Sequence, residues 1–245
     1  MSNPSVREEV IQKFTPFKEE VLSGHQSNIH SIYITGSALT EDFNSKISDI
    51  NSIIVLHRME LKFLEHLAPL GKKYRRKKVA APLIMTPQYV LNSLDAFPIE
   101  FLNIKLLHYL VFGDDIFKEL DIKRSDLRQQ CEREIKVKLI GLRQGYLSSM
   151  GNRRILTDSF INTISGYIPL FRGIIFLLGK EPPLRNEAVL SVLSELSGVN
   201  TDIFKFVLKE KEKRSKLTTE QLNTVFEDYY QALEQLGEIT NEIQE

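Results

Sequence analysis

The sequence predicts an α+β protein, with a mixed α/β domain over residues 1–120 followed by an all-α helical bundle over residues 121–245. Two observations carry this expectation. Before residue 120, short runs rich in β-branched residues alternate with helical patterns, as in α/β units. From about Ser125 onward, long segments of helical periodicity are separated by Gly and Pro breakers.

The elements follow in order. Residues 5–22 read as an amphipathic helix, with Val10, Phe14, Phe17 and Val21 near helical spacing. Residues 30–35 and 50–56 read as strands, and residues 59–70 as a helix that stops near Gly71. Residues 79–85 give a third strand. Thr86-Pro87 then supplies a helix cap with proline at the first helical position. Residues 98–105 read as a fourth strand, and residues 106–112 fit either strand or helix. In the second half, residues 127–149 form a helix that stops at Gly151-Asn152. Residues 156–178 form a second, so apolar that it belongs at the centre of a bundle. The GKEPP break at residues 179–183 ends it, and residues 185–196 and 202–211 make shorter helices. The last helix, residues 218–243, carries Leu222, Val225, Phe226, Tyr229, Leu233 and Leu236 on one stripe, which suits a bundle or a homodimer equally.

Composition narrows the function classes. The chain has 245 residues, 42% hydrophobic and 26% charged, with a formal net charge of zero, so no global field draws it to nucleic acid or an anionic membrane. One cysteine, Cys131, excludes an intrachain disulfide and fits a reducing compartment. The opening MSNPSVREEVIQKF mixes charges too early for a secretory signal. The most apolar stretch, residues 168–178, is interrupted by Arg172 and is too short to span a bilayer. The expectation is a cytoplasmic protein without a membrane partner.

The chemistry concentrates in residues 31–56, SIYITGSALTEDFNSKISDINSIIVL. An apolar run ends in Gly36-Ser37, a small turn that lets backbone N–H groups approach a phosphate. A second apolar run opens with Asp49-Ile50-Asn51, and side chains at n and n+2 of a strand share a face. This pattern resembles the active-site signature of polymerase-beta-like nucleotidyltransferases: Gly-Ser, roughly ten residues, then Asp-x-Asp or Asp-x-Glu at a strand start. The second carboxylate is replaced here by Asn51. The helical second half, and the stretch at residues 170–183 with its Gly-x-x-Pro-Pro-like break, are similar to the bundle of small kanamycin-nucleotidyltransferase-type proteins.

The resemblance implies a nucleoside triphosphate donor held with Mg²⁺ or Mn²⁺ in a cleft between the domains, the bundle helping to form the acceptor pocket. It implies transfer of a nucleoside monophosphate to a hydroxyl on a small molecule, a protein or RNA. Gly36 and Ser37 would cradle phosphates, and Asp49 would be the surviving first metal ligand. Asn51 offers only a neutral carbonyl oxygen. The third carboxylate, which in the family helps activate the acceptor, is sought at Glu100, a charge inside an apolar run; Asp95 is the weaker candidate. Arg172, and less specifically Lys180, are the cations expected to meet a phosphate or carboxylate, against an alternative in which Arg172 forms a buried ion pair or snorkels. Arg143 is a further cleft candidate.

Other features compete. The run Gly71 to Lys78, GKKYRRKK, packs six cations around Tyr74: either a nucleic-acid contact in which Tyr74 stacks on a base, or a solvated connection between helix and strand. The five histidines show no paired metal-ligand spacing, and none follows His108, so the Arg-x-x-x-x-His signature of the HEPN nucleases is absent. Beside the transferase stands a second expectation from Asn51: a catalytically impaired family member acting as a nucleotide-sensing or partner-binding module. A third is an RNA-associated protein using the basic run.

Overall fold

In the computed structural model, residues 6–213 and 217–243 are described. They fall into two compact units, Met1–Ile122 and Lys123–Glu245. Within the first, strand β1 (Ile29–Thr35) is central because its IHSIYIT sequence is apolar on both faces, and Ile32, Tyr33 and Ile34 are fully buried. It pairs antiparallel with β2 (Asn51–Leu56) on one side and β4 (His108–Gly113) on the other, while β2 pairs in parallel with β3 (Leu83–Met85). The sheet order is β3-β2-β1-β4.

Helix α1 (Glu8–Leu22) buries Val10, Phe14, Phe17 and Val21, one stripe at helical spacing, and packs on α2 (Leu61–Arg75) through Phe63, Leu67, Leu70 and Tyr74. The Phe17 and Tyr74 rings meet edge to face at 5.3 Å. Each such side chain contributes roughly 1.5–3 kcal/mol through removal from water. Ser5, where the opening helix was expected to start, lies outside the described residues. Tyr33 ties the sheet to the connection after β4: its hydroxyl donates to the Asp114 carbonyl (2.8 Å) and accepts from the Ile116 N–H (2.9 Å).

Several expectations need correction. Helix α2 does not stop at Gly71 but runs through Pro69 and Gly71 to Arg75, because Leu70 and Tyr74 extend its buried stripe by a turn. The third strand is only Leu83–Met85, with Val79 joined to Ile50 by a single parallel bridge. Thr86 caps α3 (Pro87–Leu91) as expected, accepting from the Tyr89 N–H at 3.2 Å. The expected fourth strand is instead helix α4 (Pro98–Leu106). Pro98 lacks an N–H and has a fixed φ, which suits the first turn of a helix. Ile99, Phe101, Leu102 and Leu106 bury more than one face of it, so no period-2 alternation exists to favour a strand.

The elements of the second unit are all helical among its described residues. Helix α5 (Arg124–Ser149) ends at Met150, whose φ of 47° is left-handed. The predicted second helix is broken into α6 (Arg153–Phe160), a 3₁₀ turn at Ile164–Gly166 and α7 (Ile168–Leu177), because Pro169 belongs in a first turn. Helices α8 (Asn186–Ser197), α9 (Asp202–Lys213) and α10 (Thr219–Glu242) follow. A capping box opens α10: Thr218 Oγ1 accepts from the Gln221 N–H at 3.2 Å, and the Gln221 side chain accepts from the Thr218 N–H at 2.8 Å. The α10 stripe packs on α5, α6 and α9, with Leu222, Tyr229, Leu233 and Leu236 fully buried. Rings of Phe171, Phe204, Tyr229 and Tyr167 pack in succession at 4.9, 4.7 and 5.2 Å. Among the described residues, no single helix is long and apolar enough to cross a membrane. Arg153–Gly166 and Ile168–Leu177 meet that length and composition only as a pair bent by 45°.

Gly113 is a steric requirement of the sheet. At its φ of 80°, a Cβ would overlap the His30 carbonyl oxygen on β1, which cannot move without breaking the ladder. Gly113→Ala is therefore expected to destabilise by about 3 kcal/mol. Gly24→Ala, at a φ of 77° but with open space around it, should cost only about 1–2 kcal/mol. Denaturant unfolding of the two variants, read on the β-containing unit, checks the difference.

Candidate active site

The end of β1 and the start of β2 lie side by side because the two strands are antiparallel. In that register Thr35 pairs with Asn51, and on its other flank with His108 of β4. The chain then turns at Gly36, whose φ of 74° is readily reached by glycine alone. Its N–H donates to the Leu107 carbonyl (3.1 Å), fixing the turn. A 3₁₀ segment, Gly36–Leu39, follows, anchored by buried Ala38 and Leu39. Ser37 is half-buried at the head of this segment. Its carbonyl accepts from both the N–H (3.0 Å) and the hydroxyl (3.1 Å) of Thr40. Among the described residues the Ser37 hydroxyl has no hydrogen-bond partner.

Ile50 is fully buried, whereas Asp49 and Asn51 on either side of it are exposed. A Cβ on Gly36 would stand 3.7 Å from Asn51 Nδ2. The structure thus brings Gly36, Ser37, Asp49 and Asn51 to one end of the sheet. The Ile50 backbone is held from the other side: its N–H donates to the Lys78 carbonyl (2.7 Å), and its carbonyl accepts from the Ala80 N–H (3.0 Å). This pairing brings up a residue that sequence reasoning placed only in a charge run. Lys78 Nζ lies 3.7 Å from Asp49 Oδ1, both side chains being about half exposed.

Among the described residues, no group of three or more His, Cys, Asp or Glu side chains is arranged to hold a metal. One carboxylate and one carboxamide oxygen on a shared face fit a hard cation that brings its remaining ligands with it. Mg²⁺ is commonly held that way, by one or two carboxylates plus substrate phosphates.

The remaining candidates sit elsewhere. Glu100 is exposed on the first turn of α4, not on a strand. At 1.5 Å of rise per residue it stands roughly 10 Å along the helix from the Leu107 carbonyl that meets Gly36. The expectation of a strand-borne third carboxylate is corrected accordingly. Asp95 is exposed in the turn before this helix. In the helical unit, Arg172 is 4% exposed. Its Nε donates to the Pro183 carbonyl (3.1 Å) and its Nη2 to the Leu184 carbonyl (2.7 Å). The expected phosphate contact gives way to a local role, fastening the chain after the GKEPP break onto α7. Lys180 is exposed and lies 3.4 Å from the Glu195 carboxylate, a solvent-screened pair. Arg143 donates to the Leu139 carbonyl of its own helix (3.2 Å) and stands 5.8 Å from the Tyr230 ring centroid.

Tyr74 does not stack on a base. It is buried, and its hydroxyl donates to Glu20 at 2.5 Å. Burial, and then this hydrogen bond, push its phenol up to about 12. Lys73 pairs with the same carboxylate at 2.6 Å, and the Lys77 ammonium lies 4.9 Å from the Tyr74 ring centroid. The Lys73 and Tyr74 hydrogen bonds hold the Glu20 carboxyl below its ordinary 4.5. A depressed carboxyl adds stability above its unfolded value and loses it as pH falls through the folded one. The midpoint gap between wild type and Glu20→Gln should therefore be open at pH 7 and narrow as the pH is taken down below 4.5, as read by thermal unfolding.

Comparison with solved structures finds spectinomycin adenyltransferase AAD(9) from Enterococcus faecialis, crystallised with ATP and spectinomycin. It is 17% identical, with a TM-score of 0.53, and the match covers 92% of this chain and 98% of that one. No protein-family model matches the chain, and no curated protein sequence does.

Proposed function

We propose that this chain, which has the nucleotidyltransferase fold with a helical C-terminal part, binds a nucleoside triphosphate at the end of its sheet and transfers the nucleoside monophosphate to an acceptor hydroxyl. The observation that supports this most is the register: Thr35 opposite Asn51 sets a Gly-Ser turn beside an Asp-x-Asn pair. In the transfer, the acceptor oxygen bonds to the α-phosphorus as its O–H bond breaks and the proton passes to water, and the bond to pyrophosphate breaks. Such a reaction asks the protein mainly to position the triphosphate and to balance its charge. The Ser37 hydroxyl and the backbone of the turn at Gly36 would bind phosphate oxygens. Asp49 and Asn51 would hold Mg²⁺ or Mn²⁺, which when bound neutralises charge on the triphosphate. The small-molecule acceptor of the structural neighbour makes that acceptor class the first to screen.

Thermal unfolding with ATP, GTP, CTP and UTP, with and without Mg²⁺ or Mn²⁺, tests the site. A nucleotide at about 100 times its Kd adds roughly 2.7 kcal/mol, a rise of about 5–10 °C in the midpoint of the unit that binds it. Asp49→Ala should remove the metal-dependent part of the rise and all turnover. Absence of a rise with every nucleotide overturns the proposal, as does turnover that survives Asp49→Ala.

Asn51 favours a second reading, nucleotide binding without transfer, since a carboxamide carries no charge. The Asn51→Asp variant separates the two. A transferase impaired at that one position should gain metal-dependent turnover, by several hundredfold if the missing charge is worth a few kcal/mol. A binding module should gain none.

A further inference from the structure

We propose that Lys78 is a working residue of this site, its ammonium group held by Asp49 in the free protein and passing to the phosphates of a bound nucleoside triphosphate. The inference rests on the nucleotide-binding reading above and adds to it a residue that neither the motif nor the likeness assigns.

The backbone is the first observation. Lys78 has a φ of 64°, in the left-handed region where glycine is favoured. It occupies the position where α2 unwinds: its N–H donates to the Arg75 carbonyl (3.1 Å), and the Val79 N–H donates to the Tyr74 carbonyl (3.2 Å). This crossed pair of bonds is the helix-ending arrangement in which glycine normally takes the left-handed position. A β-carbon there is disfavoured unless the surrounding structure or a function holds it.

The second observation is what that conformation achieves. The Lys78 carbonyl accepts from the Ile50 N–H at 2.7 Å, so the lysine is clamped to the residue between Asp49 and Asn51. Its ammonium group reaches Asp49 at 3.7 Å, with 43% of the lysine and 55% of the aspartate side chain exposed. So open and long a pair is weak and readily exchanged. Lys73 and Lys77, its neighbours in the run, are occupied by Glu20 and the Tyr74 ring. Of these three cations, Lys78 is the one beside the Asp-x-Asn pair.

Charge gives the third. Asn51 removes one negative charge that the resembled motif carries, and Lys78 balances the one that remains at Asp49. An incoming polyanion therefore meets a pair with no net charge, from which the flexible lysine stem can turn toward phosphate.

The test compares wild type, Lys78→Gly, Lys78→Gln and Lys78→Arg by calorimetric titration with ATP, GTP, CTP and UTP, each with Mg²⁺, and by thermal unfolding without ligand. Lys78→Gly fits the left-handed backbone and should unfold about 2–4 °C above wild type. It should nonetheless bind the magnesium nucleotide at least tenfold more weakly. Lys78→Gln, which keeps the backbone strain, should lose the same affinity, and Lys78→Arg should keep it within about threefold. Titration of Mn²⁺ alone should show Lys78→Gly binding at least as tightly as wild type, because Asp49 loses its competitor. Wild-type binding with unchanged affinity in Lys78→Gly and Lys78→Gln overturns the role of Lys78 and leaves the nucleotide reading standing. No binding by wild type overturns both.

Discussion

The antiparallel register of β1 and β2 is the constraint on which the candidate site depends. Thr35 faces Asn51 across the ladder, so the residue after β1 and the residue before β2 must fall at the same end of the sheet. A one-residue slip would turn Asp49 and Asn51 toward the core and Ile50 outward. From Ser52 to Leu56 the strand is buried on both faces, so the cost of such a slip falls at Ile50, which would be exposed, and at Asp49 and Asn51, which would be buried. The hydrophobic pattern that builds the sheet thereby also fixes where its polar residues point.

This end of the sheet is reinforced by backbone bonds from segments distant in sequence. Gly36 is held to Leu107, just past α4, and Ile50 is held to Lys78 and Ala80, just past α2. Helices α2 and α4 thus end beside the two halves of the motif. The partition of charge in the basic run has the same origin. Once Tyr74 is buried against Phe17 and bonded to Glu20, Lys73 and Lys77 gather around it, and the run turns out through Lys78 toward Asp49. A stretch that looks like a uniform basic patch in sequence is divided between a structural anchor and the edge of a site.

In the helical unit, burial decides the fate of the charged candidates. Arg172 lies among Phe171, Gly173, Ile174 and Ile175, all buried. A cation in such surroundings must find acceptors, and the Pro183 and Leu184 carbonyls, freed by the proline-containing break, are within reach. The end of the GKEPP segment that signals a helix end in sequence, together with the Leu184 that follows it, therefore supplies partners for the residue that looked most like a phosphate ligand.

The sequence by itself determined the α+β class, the two buried strands, the Thr86-Pro87 cap, the apolar stripe of the last helix, and the pairing of Gly36-Ser37 with Asp49 and Asn51. The first four are local patterns of period 2 or 3.6, or turn residues with their own backbone preference, and such signals survive without knowledge of contacts; the pairing of Gly36-Ser37 with Asp49 and Asn51 was implied by the resemblance to the nucleotidyltransferase signature. Only the tertiary structure decided the rest. Residues 98–106 are apolar on more than one side, and such a run reads alike as a doubly buried strand or a buried helix until its neighbours are known. Whether Tyr74 faces a base or Phe17, whether Arg172 meets a phosphate or a carbonyl, and that Lys78 reaches Asp49 are matters of long-range pairing. Local periodicity reports which face of an element is buried, and it carries no information about the partner that buries it.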